Sequence, residues 1–158
     1  MAGSAGYSGT PLPRKLGVKD GSRVLLVAAP EGFDLRPLPG GVELVRAAAV
    51  RGRARGAAAG TYDVVLDFCP DRATLVASFA PLAAHLPPAG ALWVAWPKKA
   101  SGVASDLDDN VVRAHGLEVG LVDVKVAAID AVWSGAKFVY RLVDRPQPAR
   151  PRVSRTQA

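Results

Sequence analysis

Apolar residues in this chain fall into short runs separated by turn signals. After Lys19-Asp20-Gly21-Ser22 comes Arg23 to Ala29, RVLLVAA, a run too short for a stable helix and bounded by turn residues, which predicts a buried strand. Val42 to Val45 predicts a short second strand, and Tyr62 to Cys69, YDVVLDFC, a third that stops at Pro70-Asp71. A helical pattern then runs from Arg72 to Leu86, with Pro81 restarting or kinking it. Pro87-Pro88-Ala89-Gly90 leads into a strand from Ala91 to Trp96, which Pro97 ends. Ser105 with Asp108 three residues on reads as a capping box, so a helix is expected from Asp106 to Ala114 or His115, ending at Gly116. Two last strands, Glu118 to Asp130 and Lys137 to Val143, are joined by Ala131 to Ala136. In the first of them Val122, Val124 and Val126 are expected on one face and Asp123 and Lys125 on the other.

The order of these elements predicts the topology. Strands alternate with helical connections up to Gly116, which requires parallel strands, whereas the last connection is too short for a crossover and its strands must be antiparallel. The expected fold is α/β: an open, mostly parallel Rossmann-like sheet with a C-terminal antiparallel strand pair. One domain is expected over residues 1–145, beginning with an extended segment 1–15, and a disordered basic tail over 146–158.

Composition adds limits. A chain of 158 residues, 49% apolar and 22% charged, is long enough to bury a core without a metal or disulfide staple. Cys69 is the single cysteine, so an internal disulfide and a cysteine-rich zinc site are excluded. Met1 to Lys15 has no apolar signal stretch, which points to the cytoplasm. Thr74 to Trp96 carries no charge, yet Pro81, Pro87, Pro88 and Gly90 break it into helix, turn and strand, and no membrane contact is expected.

The net charge is +6. Arg145, Arg150, Arg152 and Arg155 against Asp144 put half of that excess in the tail, and Arg46, Arg51, Arg53 and Arg55 form a second basic stretch. Nucleic-acid binding through these arginines is an open but not favoured reading, because no aromatics are interleaved to stack on bases. Of the 20 basic residues only six are lysine, and Lys98, Lys99, Lys125 and Lys137 lie close together in sequence. Cys69 reads as a core residue, and His85 and His115 as helix-end residues.

Tyr62-Asp63-Val64-Val65-Leu66, then a helix, then His85 to Val94, then a closing antiparallel pair resemble the second half of a class I S-adenosylmethionine-dependent methyltransferase fold. Tyr7 to Leu12, Trp93 to Lys99 and Trp133 to Phe138 also resemble a family of small bacterial proteins, a domain of unknown function common in high-GC bacteria. The first resemblance implies a reduced methyltransferase scaffold; the second has no activity attached to it.

Two features of the cofactor pattern are missing. That pattern has a glycine-rich turn after the first strand and an acid at the end of the second. Here RVLLVAA runs into Pro30-Glu31-Gly32-Phe33, and the second strand into Val45-Arg46. No cofactor is therefore expected, with S-adenosylmethionine kept as the alternative. Ligands of open α/β sheets sit beyond the carboxyl ends of the strands where strand order reverses. Those ends offer Glu31, Asp67, Trp96, Lys98 and Lys99, joined by Trp133 and Ser134 if the last connection folds toward them. This set suits an anionic small molecule better than a metal. The expected function is a non-catalytic binding or interaction module with an anionic small molecule or a protein as partner. The alternatives are a small-group transferase with an atypical cofactor site around Glu31 and Trp96, and a nucleic-acid-associated basic protein. No catalytic residue and no metal ligand is assigned. Tyr7 to Leu12 is expected to lie against the sheet or over the site.

Overall fold

The computed structural model describes residues 10–48 and 61–141. The expected basic tail, Arg51 to Arg55 and Tyr7 to Gly9 fall outside these residues. Six strands form one sheet: β1 (Arg23–Val27), β2 (Glu43–Ala47), β3 (Val64–Phe68), β4 (Ala91–Pro97), β5 (Leu121–Ala128) and β6 (Trp133–Tyr140). Their order is β2-β1-β3-β4-β6-β5. The first four are mutually parallel, and β6 runs antiparallel to both β4 and β5. The strands with continuous apolar runs, RVLLV, VVLDF and ALWVAWP, are the central ones and are covered on both faces, whereas β2 and β5 form the edges.

One face is covered by helices α2 (Arg72–Ala83) and α3 (Asp109–Val119). Asp71 caps α2 by accepting from the Thr74 N–H at 2.9 Å, and Leu75, Ser78, Phe79 and Leu82 turn the buried stripe of that helix toward the sheet. Against it lie Leu25, Val27, Val65, Val94 and Trp96. Among the described residues no long helix lies over the opposite face. It is covered by the one-turn helix α1 (Leu12–Lys15), by Leu16 and Val18, and by Phe33, Leu35 and Leu38 from the β1–β2 connection. The Trp93 indole N–H donates to the Leu16 carbonyl at 3.1 Å, tying this covering to the centre of the sheet. Leu12 packs in this layer.

Several boundaries differ from the sequence expectation for identifiable reasons. The N-cap of α3 is Asp108, which accepts from the Val111 N–H at 2.9 Å. Ser105 instead bonds the Pro70 carbonyl, so it holds a turn and does not start a helix. Gly116 does not end α3 but lies within it beneath Phe138, and the helix stops at Gly120, whose φ of 115° only glycine adopts freely. That takes Glu118 and Val119 into the helix, and β5 begins at Leu121. A bulge between Asp123 and Lys125 then breaks the period of two. Asp123 lies opposite Phe138 and Lys125 opposite Lys137, so this acid and this lysine are on opposite faces. Asp123 accepts from Arg113 of α3 at 3.1 Å. The uncharged stretch from Thr74 to Trp96 is most of α2, a turn and most of β4, and among the described residues no helix is long and apolar enough to cross a membrane.

Candidate functional site

The strand order fixes where a ligand of this sheet belongs. From β1 the chain moves outward to β2 and then returns to β3 on the other side of β1, so strand order reverses between β1 and β3. The carboxyl ends there are Ala28 to Glu31 and Phe68 to Pro70, flanked by Arg46 and Ala47 on one side and Lys98 and Lys99 on the other.

The corner after β1 has an unusual backbone. Ala28 has φ of +57°, a left-handed conformation rare for any residue with a Cβ, and its N–H bonds the Ala47 carbonyl at 2.9 Å. Pro30 to Phe33 closes a turn through the Phe33 N–H and the Pro30 carbonyl at 3.0 Å. Gly32 has φ of +85° and open space where a Cβ would stand. Glu31 is exposed on this turn. Arg46, the residue where an acid was sought, sends its guanidinium to the Phe33 carbonyl at 3.2 Å and so braces the same loop from β2.

The structure splits the residues singled out from sequence into groups. The β5–β6 connection does fold toward the carboxyl ends: the Lys98 N–H donates to the Val132 carbonyl at 2.8 Å, and Trp133 and Ser134 pair with Pro97 and Trp96. Trp133 lies on the α1 face, edge-on to Phe68 at 5.1 Å, and Phe68 is edge-on to Phe33 at 5.0 Å. This row of three rings runs beneath the Glu31 turn. Trp96 is buried on the opposite face with Leu107, so the two tryptophans do not form walls of one pocket. Lys98 is half-buried and Lys99 is exposed at the start of a 3-10 turn, Lys99–Ser101.

Asp67 stands in β3 at the point of reversal, but its carboxylate is turned under α2. It is fully buried and accepts from Ser78 Oγ at 2.5 Å and from Cys69 Sγ at 3.3 Å, while Oδ1 has no hydrogen-bond partner. Burial raises its pKa to about 6, against the lowering effect of the Ser78 and Cys69 bonds. Burial and the neighbouring Asp67 charge push the Cys69 thiol far up, so it is not a nucleophile at neutral pH. Sequence reasoning missed Ser78, Phe33 and Phe68. Ser78 had a signal: it is the polar member of the apolar stripe of α2, and a buried hydroxyl needs a partner.

The fold defined by this sheet order is that of class I methyltransferases. It is shared with a TehB-like S-adenosylmethionine-dependent methyltransferase from Corynebacterium glutamicum, which is 10% identical and superimposes with a TM-score of 0.54 over 87% of this chain and 91% of that one. Magnesium protoporphyrin IX methyltransferase from Synechocystis PCC 6803, solved with S-adenosylmethionine bound, is 10% identical with a TM-score of 0.48, over 82% of this chain and 74% of that one. The fibrillarin pre-rRNA processing protein of Methanococcus jannaschii is 12% identical with a TM-score of 0.48, over 83% and 69%. No family model matches the chain, and no curated protein matches it in sequence. The likeness to an uncharacterised bacterial family thus gains no support beyond the fold.

The cofactor expectation needs correction. It expected none, with S-adenosylmethionine only as the alternative, because the glycine-rich turn and the acid after the second strand are missing, yet the Corynebacterium glutamicum structure that shares the fold is named as S-adenosylmethionine-dependent. The physical reason for the error lies at Ala28 and Gly32. A left-handed alanine followed by a left-handed glycine makes a sharp, uncrowded turn without a glycine-rich signature. On this observation the turn after β1 leaves room for an adenosyl group.

Proposed function

We propose that this protein binds S-adenosylmethionine at the carboxyl ends of β1 and β3 and acts as a small-group transferase with an atypical cofactor site. The observation that carries the reading is the left-handed Ala28 at the end of β1, beside the strand-order reversal of a methyltransferase fold. Glu31 would accept hydroxyl or ammonium hydrogens of the cofactor, and the Phe33–Phe68–Trp133 row would supply an apolar floor. Lys98 and Lys99 would attract an anionic group on the cofactor or the acceptor. Trp96 and Ser134 would support this edge through the pairing of β4 with β6. Asp67 holds the end of β3 in place from behind through Ser78. When bound, S-adenosylmethionine supplies an electrophilic methyl group on a sulfonium.

The test is isothermal titration of the full chain with S-adenosylmethionine and its demethylated product. Saturable binding is expected, with Glu31→Ala weakening both ligands roughly tenfold, the loss of one charge-assisted contact. Absence of binding in the wild type, or equal binding by Glu31→Ala, refutes the assigned site.

A further inference from the structure

The chain has six lysines, and the fold divides them unevenly. Lys98 and Lys99 lie at the carboxyl ends of the strands, Lys19 and Lys137 line a groove at the opposite end, and Lys15 and Lys125 lie between, Lys15 Nζ donating to the Ala128 carbonyl at 3.3 Å. Lys125 and Lys137 stand directly opposite each other on β5 and β6. Like charges so placed repel, and among the described residues Lys19, Lys125 and Lys137 have no acid within ion-pair distance. Lys125 Nζ approaches the Lys15 carbonyl at 3.5 Å. Lys137 Nζ lies 3.8 Å from where a Cβ on Gly17 would be.

Beside these amines a groove of about 370 Å³ opens at the amino ends of β1, β3 and β4. Its rim carries Lys19 and Lys137, and its walls include the Gly17 and Gly21 turns, Asp20 and Asp63. Asp63 Oδ2 accepts from the Arg23 N–H at 2.8 Å and Asp20 Oδ1 from the Gly40 N–H at 3.2 Å, so both carboxylates are anchored. This volume is in the range of small-molecule sites. Two carboxylates on the walls disfavour a polyanion such as a nucleic-acid backbone. They favour a ligand with one anionic end and one end bearing hydroxyls.

We propose that this groove binds a phosphorylated small molecule with hydroxyl groups, its phosphate held by Lys19 and Lys137 and its hydroxyls by Asp20 and Asp63. A phosphate monoester is nearly dianionic at neutral pH, and lysine meets it as a compact point charge. Its entry offsets the repulsion between Lys125 and Lys137. This site is at the opposite end of the strands from the proposed cofactor site and does not depend on it.

The experiment is titration of the full chain with ribose 5-phosphate and AMP, each in the presence of saturating S-adenosylhomocysteine so that the carboxyl-end site is filled. Ribose serves as the uncharged control. The expected result is saturable binding of at least one phosphate ester and none of ribose. Lys137→Gln and Lys19→Gln should each weaken it about tenfold, and Arg113→Gln, an equal loss of charge on α3, should not. A tighter ribose 5-phosphate identifies a sugar phosphate, and a tighter AMP a nucleotide. Thermal midpoints show whether each variant is folded, and the exposed Lys19 provides the second variant if Lys137→Gln is not. Binding that is absent, untouched by both lysine changes, or weakened equally by Arg113→Gln overturns the proposal.

Discussion

Asp67 makes folding stability depend on pH in the direction opposite to an ordinary paired carboxylate. In the folded chain burial lifts its pKa to about 6 from an ordinary 3.8. Between those values the folded state holds a proton that the unfolded state has released, so stability falls as pH rises. Below about 4 both states are protonated and the effect is absent; above about 6 the whole cost of a buried charge is present. At 1.36 kcal/mol per pH unit the separation between 3.8 and about 6 corresponds to about 3 kcal/mol. Asp67→Asn keeps the shape and can still accept from Ser78, but it does not titrate. Urea denaturation of both proteins from pH 4.5 to 8 isolates Asp67, because every other titrating group is common to the two. The Asn variant should gain on the wild type by about 2 kcal/mol across that range, the rest of the effect lying below pH 4.5. Curves that stay parallel would refute the reasoning and mean that Asp67 is hydrated or paired in solution.

Other substitutions test the packing. Gly116→Ala would ordinarily stabilise a helix interior by roughly 0.5–1 kcal/mol. Here the new Cβ would lie 2.2 Å from a Phe138 ring carbon, so a loss of about 1–3 kcal/mol in chemical denaturation is expected. Trp93→Phe removes the indole bond to the Leu16 carbonyl and leaves a void at a fully buried position. It should cost about 2–4 kcal/mol and raise the hydrogen-exchange rate of the residues around α1 more than that of α3.

The sequence was most informative where burial is complete. The central strands β1, β3 and β4 carry uninterrupted apolar runs because both faces are covered, and the turn residues around them mark their ends closely. The parallel core and antiparallel close followed from connection length alone. Legibility failed where tertiary contact overrides a local signal. Gly116 reads as a helix stop, but it is small because Phe138 lies against it, and the true stop is Gly120. The valines of β5 alternate in sequence, but the bulge at the edge strand moves them onto different faces.

The candidate site was half legible. Its position at the strand ends is topological, so Glu31, Asp67 and Lys98 could be named from the sequence. Side-chain direction could not. Asp67 turns beneath α2 and Trp96 into the helical face, whereas Phe33 and Phe68, which are unremarkable in sequence, form the ring row with Trp133. A positive φ at an alanine has no sequence signature, which is why the turn after β1 was read as lacking what a cofactor needs.

The most direct test of the account is to map where S-adenosylhomocysteine perturbs backbone amide resonances in the isotope-labelled full chain. The account predicts saturable shifts concentrated at Ala28 to Phe33, Phe68 to Asp71 and Lys98 to Ser101, with those of Gly17 to Ser22 unmoved. Saturating ligand that moves none of these amides, or moves only those at the amino ends of the strands, would contradict it.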